Sequence, residues 1–432
     1  MNPDENRLAP FLASVILSPS FDVPGHAHVE FLYNYRYGLL DLAWWQLVLV
    51  GLVWMHVTLM AITLWFHRDQ AHRAIDLHPA IAHFFRFWLW MSTGAPTREW
   101  VAVHRKHHAL CEVEGDPHSP QIYGLRRVLL EGAELYKAEA HRQETLDKYG
   151  KGTPEDWLER NVYGRFVNTG IALLVLLDLV LFGAPGIILL ASQLLTMPAL
   201  AAGVINGLCH ARGYRNFETN DASTNLWRWG LFVGGEELHN NHHAFPTSAR
   251  FSLRPGELDM GWLHLKLLSW LGLANIRRVA EPPALEADEK PSIDIDSLRA
   301  IIVNRMYVLR HYLQEVTLPA LEREARQDDG MQANSMIRSA ARLLRWQPHL
   351  LDENSQDWLG ELIERHPGLQ SVLQYRNELK SFWEGAHTSN EKLLADFRAW
   401  CARAEASGIQ GMQDFVAYLR SFRAMPESAA AT

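Results

Sequence analysis

Cysteine is scarce: Cys111, Cys209 and Cys401 are the three in 432 residues, and they form no CxxC pair. A disulfide framework is therefore excluded, and the usage fits a reducing compartment. Cys111 and Cys209 fall near histidine clusters, but small buried thiols serve more often as packing than as ligands, and they are read so here. Charge of one sign is lacking too. The formal net charge is -8 with acidic and basic residues interspersed, which leaves no electrostatic footprint for nucleic acid. No repeat of fixed period is present. The N-terminus has no basic lead-in, since Asp4, Glu5 and Arg7 come first, and the apolar stretch 10–17 is too short for a signal peptide. The start reads as mature.

Mean hydropathy is -0.14, a soluble-looking average that hides an uneven distribution. Apolar residues concentrate in the first two-thirds, while the last third is charged and helix-forming. Residues 39–66 are almost free of charge, with only Asp41 near the start, and as a helix they would cross a hydrocarbon core of roughly 30 Å. Segments 166–182 and 187–205 flank Gly183, Ala184, Pro185 and Gly186, the pattern of a transmembrane hairpin. Asp178 near that turn reads as an interfacial carboxylate. The stretch 79–96 is apolar and aromatic but carries His83 and Arg86. It is read as interfacial or re-entrant, because a full crossing would put the histidine boxes on its two flanks on opposite sides of the bilayer. Basic residues around those boxes, Arg68, Arg73, Arg105, Lys106, Arg126 and Arg127, place them in the cytoplasm. Residues 281–292 read as a linker rich in proline, alanine and acid. Beyond it, Leu298, Ile301, Ile302, Met306, Leu309 and Leu313 recur at helical spacing. The predicted organisation is an N-terminal segment 1–38, a membrane domain 39–280, the linker, and a soluble helical region 293–432. The predicted fold class is all-α.

Histidine is abundant, with 21 in the chain, and its placement matters more than its number. His67 and His72 lie in HRDQAH, His104, His107 and His108 in HRKHH, and His239, His242 and His243 in HNNHH; His210 follows Asn206 in NGLCH. Positions i, i+3 and i+4 share one helix face, so each HxxHH box can turn three imidazoles to a common centre. Five residues at about 100° each leave His67 and His72 apart on an α-helix, which places that box at a helix end. Nine imidazoles exceed what one ion can use, so two metals are implied. Lone histidines such as His56 and His83 read as ordinary interfacial polar groups. Glu236 and His239 form one ExxH, but a soluble carboxylate di-iron bundle needs a second such pair and two more glutamates.

Together with Glu99-Trp100, Asp116-Pro117-His118, Gly213-Tyr214-Arg215 and HNNHHAFP from His239 to Pro246, these boxes give a specific resemblance. The chain resembles the membrane fatty acid desaturases, closest to the acyl-CoA delta-9 (stearoyl-CoA) branch and its bacterial members, over about 39–273. The resemblance implies a transmembrane helical stem under a cytoplasmic helical cap, at a bacterial inner membrane. It implies two non-haem irons held by His67, His72, His104, His107, His108, His210, His239, His242 and His243, with Asn206 holding a metal-bound water. It also implies an O2-dependent desaturation that puts a cis double bond into a saturated acyl chain linked to CoA or lipid. A separate electron donor, a ferredoxin or a flavin or iron–sulfur reductase, would serve it. Only one full-length span precedes His67, where the vertebrate-type pattern has two, and 293–432 has no counterpart in the family pattern.

The rival readings are a related di-iron hydroxylase, ketolase or alkane monooxygenase, and a metal transporter or sensor. The ligands lie just outside the apolar segments rather than along a path within them, against transport. His366-Pro367-Gly368, with His387, faintly resembles a cytochrome b5 haem motif, but Leu369 stands where a second glycine belongs and the flanks read as helix. Met55 and Leu59 lie two to three turns below His67 and are candidates for the floor of an acyl tunnel.

Overall fold

The computed structural model describes residues 35–286, 290–328, 333–385 and 389–423. The stretch 10–17, most of segment 1–38 and His387 lie outside them. The described chain is mostly helical, as its pattern predicts, with two short two-stranded ladders as the departure from an all-α fold.

Helix α1, Trp44–Ala71, is 28 residues long and among the two helices long and apolar enough to cross a membrane. Its outer half exposes Trp44, Trp45, Val48, Leu49, Leu52 and Val53, whereas Thr58 to Arg68 are buried throughout. An apolar helix with an exposed first half and an enclosed second half suits a lipid-facing stem that ends inside a protein cap. The last ten residues, Ile62–Ala71, wind as a π-helix with i→i+5 bonding.

Helices α5 (Val167–Phe182) and α6 (Pro185–Leu208) form the hairpin. Gly183 makes its turn at φ 63°, a left-handed value that favours glycine. α6 is the other candidate span, at 24 residues; α5 has 16 residues and rises only about 24 Å, short of a roughly 30 Å core. The backbone N–H groups of Leu39 and Leu40 donate to Val180 and Leu181 at 3.0 Å. The start of α1 therefore sits at the hairpin turn, and the histidine-bearing ends of α1 and α6 share the opposite end.

Helix α2, Pro79–Thr93, has 15 residues and is too short to span. Gly170 lets it approach α5 closely, since a Cβ there would lie 2.3 Å from the Trp90 carbonyl oxygen. Buried Arg86 donates to Asp156 at 2.6 and 2.9 Å and to Glu159 at 2.9 Å. Helix α3, Thr97–Ala109, carries the second box, and α4, Leu125–Ala140, packs across it and α6. Strand β1 (Ile75–Leu77) pairs antiparallel with β4 (Ala274–Ile276), while β2 (Trp229–Gly230) and β3 (Leu258–Asp259) pair in parallel. These ladders and fully buried Arg68 tie the first box to the chain after the third. Arg68 donates to Asp259 at 2.8 Å and to the Ala249 carbonyl at 2.7 Å.

Three basic residues counted as orientation signals are consumed inside the fold. Besides Arg68, Arg105 donates to the carbonyls of Gln70, Ala71, Tyr149 and Lys151, and Lys106 pairs with Glu139 at 2.6 Å. Arg73, Arg126 and Arg127 remain exposed.

From 295 the chain is a helical bundle around Leu298, Ile301, Tyr312, Trp400 and Phe415. The helical stripe read across 298–313 is split at Asn304 into Ile295–Val303 and Arg305–Tyr312, and Met306 packs against the membrane part instead of the bundle core. His366 lies between the helices Glu353–Arg365 and Pro367–Glu384, so its flanks are helical, unlike those of a haem-binding cytochrome domain.

Candidate metal centre

The first box owes its geometry to the π-winding of α1. An i→i+5 turn brings residues five apart onto one face, and the His72 N–H donates to the His67 carbonyl at 3.0 Å. The two rings come within 4.9 Å. An α-helical winding at this helix end would hold the two rings apart; the wider turn removes that separation. His104, His107 and His108 project from α3, His239, His242 and His243 from helix α7 (His239–Ala244), and His210 follows the end of α6.

The imidazoles gather into two clusters. His67, His72, His104, His108 and His242 have ring nitrogens within 4.8 Å of one another. The Nε2 atoms of His72 and His104 are 2.8 Å apart, and His242 Nε2 lies 3.0 Å from those of His67 and His108. In the second cluster, His239 Nε2 lies 3.0 Å from His210 Nε2 and 3.1 Å from His243 Nε2, and His107 approaches His210 and His243. Metal–nitrogen bonds of about 2.1 Å put adjacent ligand nitrogens about 3.0 Å apart at right angles and about 3.4 Å apart in a tetrahedron. The observed spacings match the right-angled case.

Carboxylates hold the far side of four rings. The Nδ1 atoms of His67, His210 and His243 meet Glu236 at 2.7 Å, Glu112 at 2.7 Å and Asp221 at 2.9 Å, and His107 Nδ1 meets Asp116 at 3.1 Å. An imidazole that donates its Nδ1 proton to a carboxylate leaves the Nε2 lone pair facing the centre, the arrangement typical of metal-ligating histidine. His239 and His242 have Nδ1 atoms that are buried without a hydrogen-bond partner among the described residues.

Burial pushes His72, His104, His108, His239 and His242 well below the usual imidazole value, and neighbouring imidazoles push them further. His243 falls to about 4, burial outweighing Asp221. His107 moves up, because Asp116 together with Glu112 and Asp221 offsets its burial. Neutral imidazoles are the form that binds metal.

Asn206 is half-buried one turn before His210, and its side chain makes no hydrogen bond among the described residues. Cys111, read as packing, reaches the second cluster with Sγ 3.7 Å from His107 Nε2, and burial pushes its thiol up. Cys209 and Cys401 are buried in apolar clusters. Leu59 is 2% exposed and Met55 half-buried in the cluster that holds Phe66, Phe85 and Ile205, so both face protein rather than lipid. Glu112, Asp221 and Glu236 were not legible as histidine partners. Asp116 was visible only within its Asp-Pro-His triplet.

Two helices long and apolar enough to cross a membrane thus end at two imidazole clusters, braced by carboxylates, whose side chains could hold metal ions. The family model described as fatty acid desaturase matches residues 42–268. Delta-9 acyl-lipid desaturase 1 of Arabidopsis thaliana is 31% identical over 235 residues, 53% of this chain and 74% of the relative. An acyl-CoA 5-desaturase of Anemone leveillei is 32% identical over 232 residues, 51% and 70% respectively. An acyl-CoA C20 delta5-desaturase of the same plant is 33% identical over 217 residues, 49% and 67%. The chain belongs to the fatty acid desaturase family and is an oxidoreductase of that type. A second model, described as transposase, matches residues 300–426; the described part of that segment is helical, and no three carboxylate, thiol or imidazole donors converge in it.

Proposed function

We propose that the chain introduces a cis double bond, at the delta-9 position, into a saturated acyl chain carried by CoA or lipid, using two irons, O2 and electrons from a separate carrier protein. His67, His72, His104, His108 and His242 would hold one iron. His107, His210, His239 and His243 would hold the other, with Asn206 toward a bound water. The observation that carries this is the convergence of nine neutral or carboxylate-braced imidazoles into two clusters spaced for ligation. When bound, the iron pair supplies the hydrogen-abstracting chemistry that an unactivated methylene requires. The chain's own residues fix ligand orientation through Glu112, Asp116, Asp221 and Glu236, and exclude water with buried Phe66, Phe251 and Leu238. Leu59 and Met55 form the apolar floor that sets which carbons lie opposite the metals. The cap lies in the cytoplasm, with exposed Arg73, Arg126 and Arg127 as the supporting charge bias.

The relatives' names include both delta-9 and delta-5 specificity, so regiochemistry is tested by product rather than by likeness. Purified, iron-loaded protein is given reductant, O2 and saturated acyl-CoA or phospholipid, and the products are run on gas chromatography with mass detection. Loss of two hydrogens with the double bond at carbon nine is the expected result. Gain of oxygen makes it a hydroxylase, and a bond elsewhere overturns the position.

A further inference from the structure

Four consecutive residues of the membrane part are each held by a different side chain of the C-terminal bundle. The Arg215 guanidinium lies 4.6 Å from the centre of the Trp346 ring. The Asn216 carbonyl accepts from Arg310 Nη1 at 3.1 Å. Phe217 meets the Tyr307 ring edge-on at 5.4 Å. Glu218 faces Arg376 Nη1 at 3.6 Å, both side chains buried. Tyr307 also packs 5.0 Å from Phe245, the residue that closes the third-box helix.

The next five residues reach the second histidine cluster. Arg215 gathers them, donating to the carbonyls of Asp221 at 2.7 Å and Ser223 at 2.9 Å, and to the carbonyl and hydroxyl of Thr219 at 2.8 and 2.9 Å. So folded, the loop presents Asp221 Oδ2 to His243 Nδ1 at 2.9 Å. Its Ala222 N–H donates to one oxygen of Glu112, whose other oxygen lies 2.7 Å from His210 Nδ1. One strap, 215–223, therefore orients two of the four imidazoles of the second cluster. Among the described residues the first cluster takes its one carboxylate, Glu236 on His67, from elsewhere.

We propose that the C-terminal bundle is a working part of the second metal centre: Trp346 and Arg376 are positioning residues that hold 215–218, fix Asp221 and Glu112 through it, and so aim His243 and His210. This rests on the two-metal reading above, and it reverses what the ligand boxes alone would say, since none lies beyond residue 293. Arg215 cannot keep its four bonds to the loop if its guanidinium loses the indole that covers it and water competes for those donors. Ligand orientation set by such outer partners is worth 10- to 100-fold in metal affinity.

The test uses the full-length, iron-loaded protein and reads metal release to an external chelator, with metal content per chain before and after. Trp346→Ala and Arg376→Gln are expected to keep one iron at the wild-type rate and to lose the other about tenfold faster, in line with the outer-partner range. Trp346→Phe should restore slow release, and Arg403→Gln, which breaks an exposed ion pair with Glu378 in the same bundle, should change nothing. In an Asp221→Asn background only the Glu112 arm of the strap remains, so Trp346→Ala should add less acceleration than it does in the wild type. Equal acceleration of both irons, unchanged release in the variants, or full additivity with Asp221→Asn overturns the proposal. If either variant fails to accumulate, the other decides, because they hold different residues. A wild-type protein that binds fewer than two irons sinks the two-metal reading instead.

Discussion

Glu236 serves His67, not its sequence neighbour His239: its Oε1 lies 2.7 Å from His67 Nδ1 and also accepts from Thr63 Oγ1 at 2.6 Å. The carboxylate thus braces an imidazole on α1 from a loop 169 residues away. Glu236→Gln keeps the shape and removes the charge. Chelator competition should show iron held 10- to 100-fold more weakly, about 1.4–2.8 kcal/mol, with protein yield maintained. Unchanged affinity would mean that Glu236 only fills space.

His107→Ala and His242→Ala remove one ring from each cluster. Both variants are expected to insert into membranes normally and to yield no unsaturated product. His56→Ala serves as the contrast, since His56 pairs with His264 at 3.2 Å and belongs to neither cluster. Wild-type turnover by either cluster variant rejects the assignment.

Acid should destabilise the metal-free protein. His72, His104, His108, His239, His242 and His243 all sit lower in the folded chain than the ordinary 6.5. The unfolded chain therefore binds more protons than the folded one as pH falls below about 6.5, and stability falls with pH over that range. His107, raised by Asp116, acts in the opposite sense but is one group against six. Thermal melts in detergent should fall steeply from pH 7 to pH 5, with added iron opposing the fall. A flat profile would contradict the buried, neutral assignment.

Leu59→Ala opens space inside a packed cluster and should cost about 2–5 kcal/mol of stability. If Leu59 floors the acyl tunnel, the same variant should shift product toward longer chains, each added buried methylene contributing about 0.8 kcal/mol. Leu59→Trp should exclude them. Paired short and long acyl substrates, quantified by gas chromatography, read the shift; an unchanged preference in both variants returns Leu59 to ordinary packing.

Arg68→Met strands Asp259, whose side chain is fully buried. Breaking a buried pair from one side costs about 3–5 kcal/mol. Replacing both partners together, Arg68→Met with Asp259→Asn, should recover part of that loss. Denaturant melts of the four proteins in the cycle give the coupling, and simple additivity would mean that the pair carries no interaction of its own.

What the sequence made legible follows spacing and apolar content. The α1 stem and the α5–α6 hairpin rest on apolar runs and a Gly-Pro turn, and the HxxHH boxes on helical spacing; the structure has helices at each, with α5 shorter than a full span. The HxxxxH box was harder, because a 100° step per residue is an assumption about winding that Ile62–Ala71 does not obey. Glu112, Asp221 and Glu236 were invisible for a different reason. A carboxylate that meets its histidine 22 to 169 residues away leaves no local pattern. The packing of Trp346 on Arg215 is likewise tertiary, joining residues whose neighbours read as surface helix and loop.

The i→i+5 winding of α1 also fixes how this chain can change length over time. Between His67 and His72 there is no slack loop to absorb a residue gained or lost; one such change would rotate everything after it about the helix axis. Strand β1 would lose its register with β4. The five-residue interval is therefore tied to the pairing of β1 with β4 as well as to the position of the two rings.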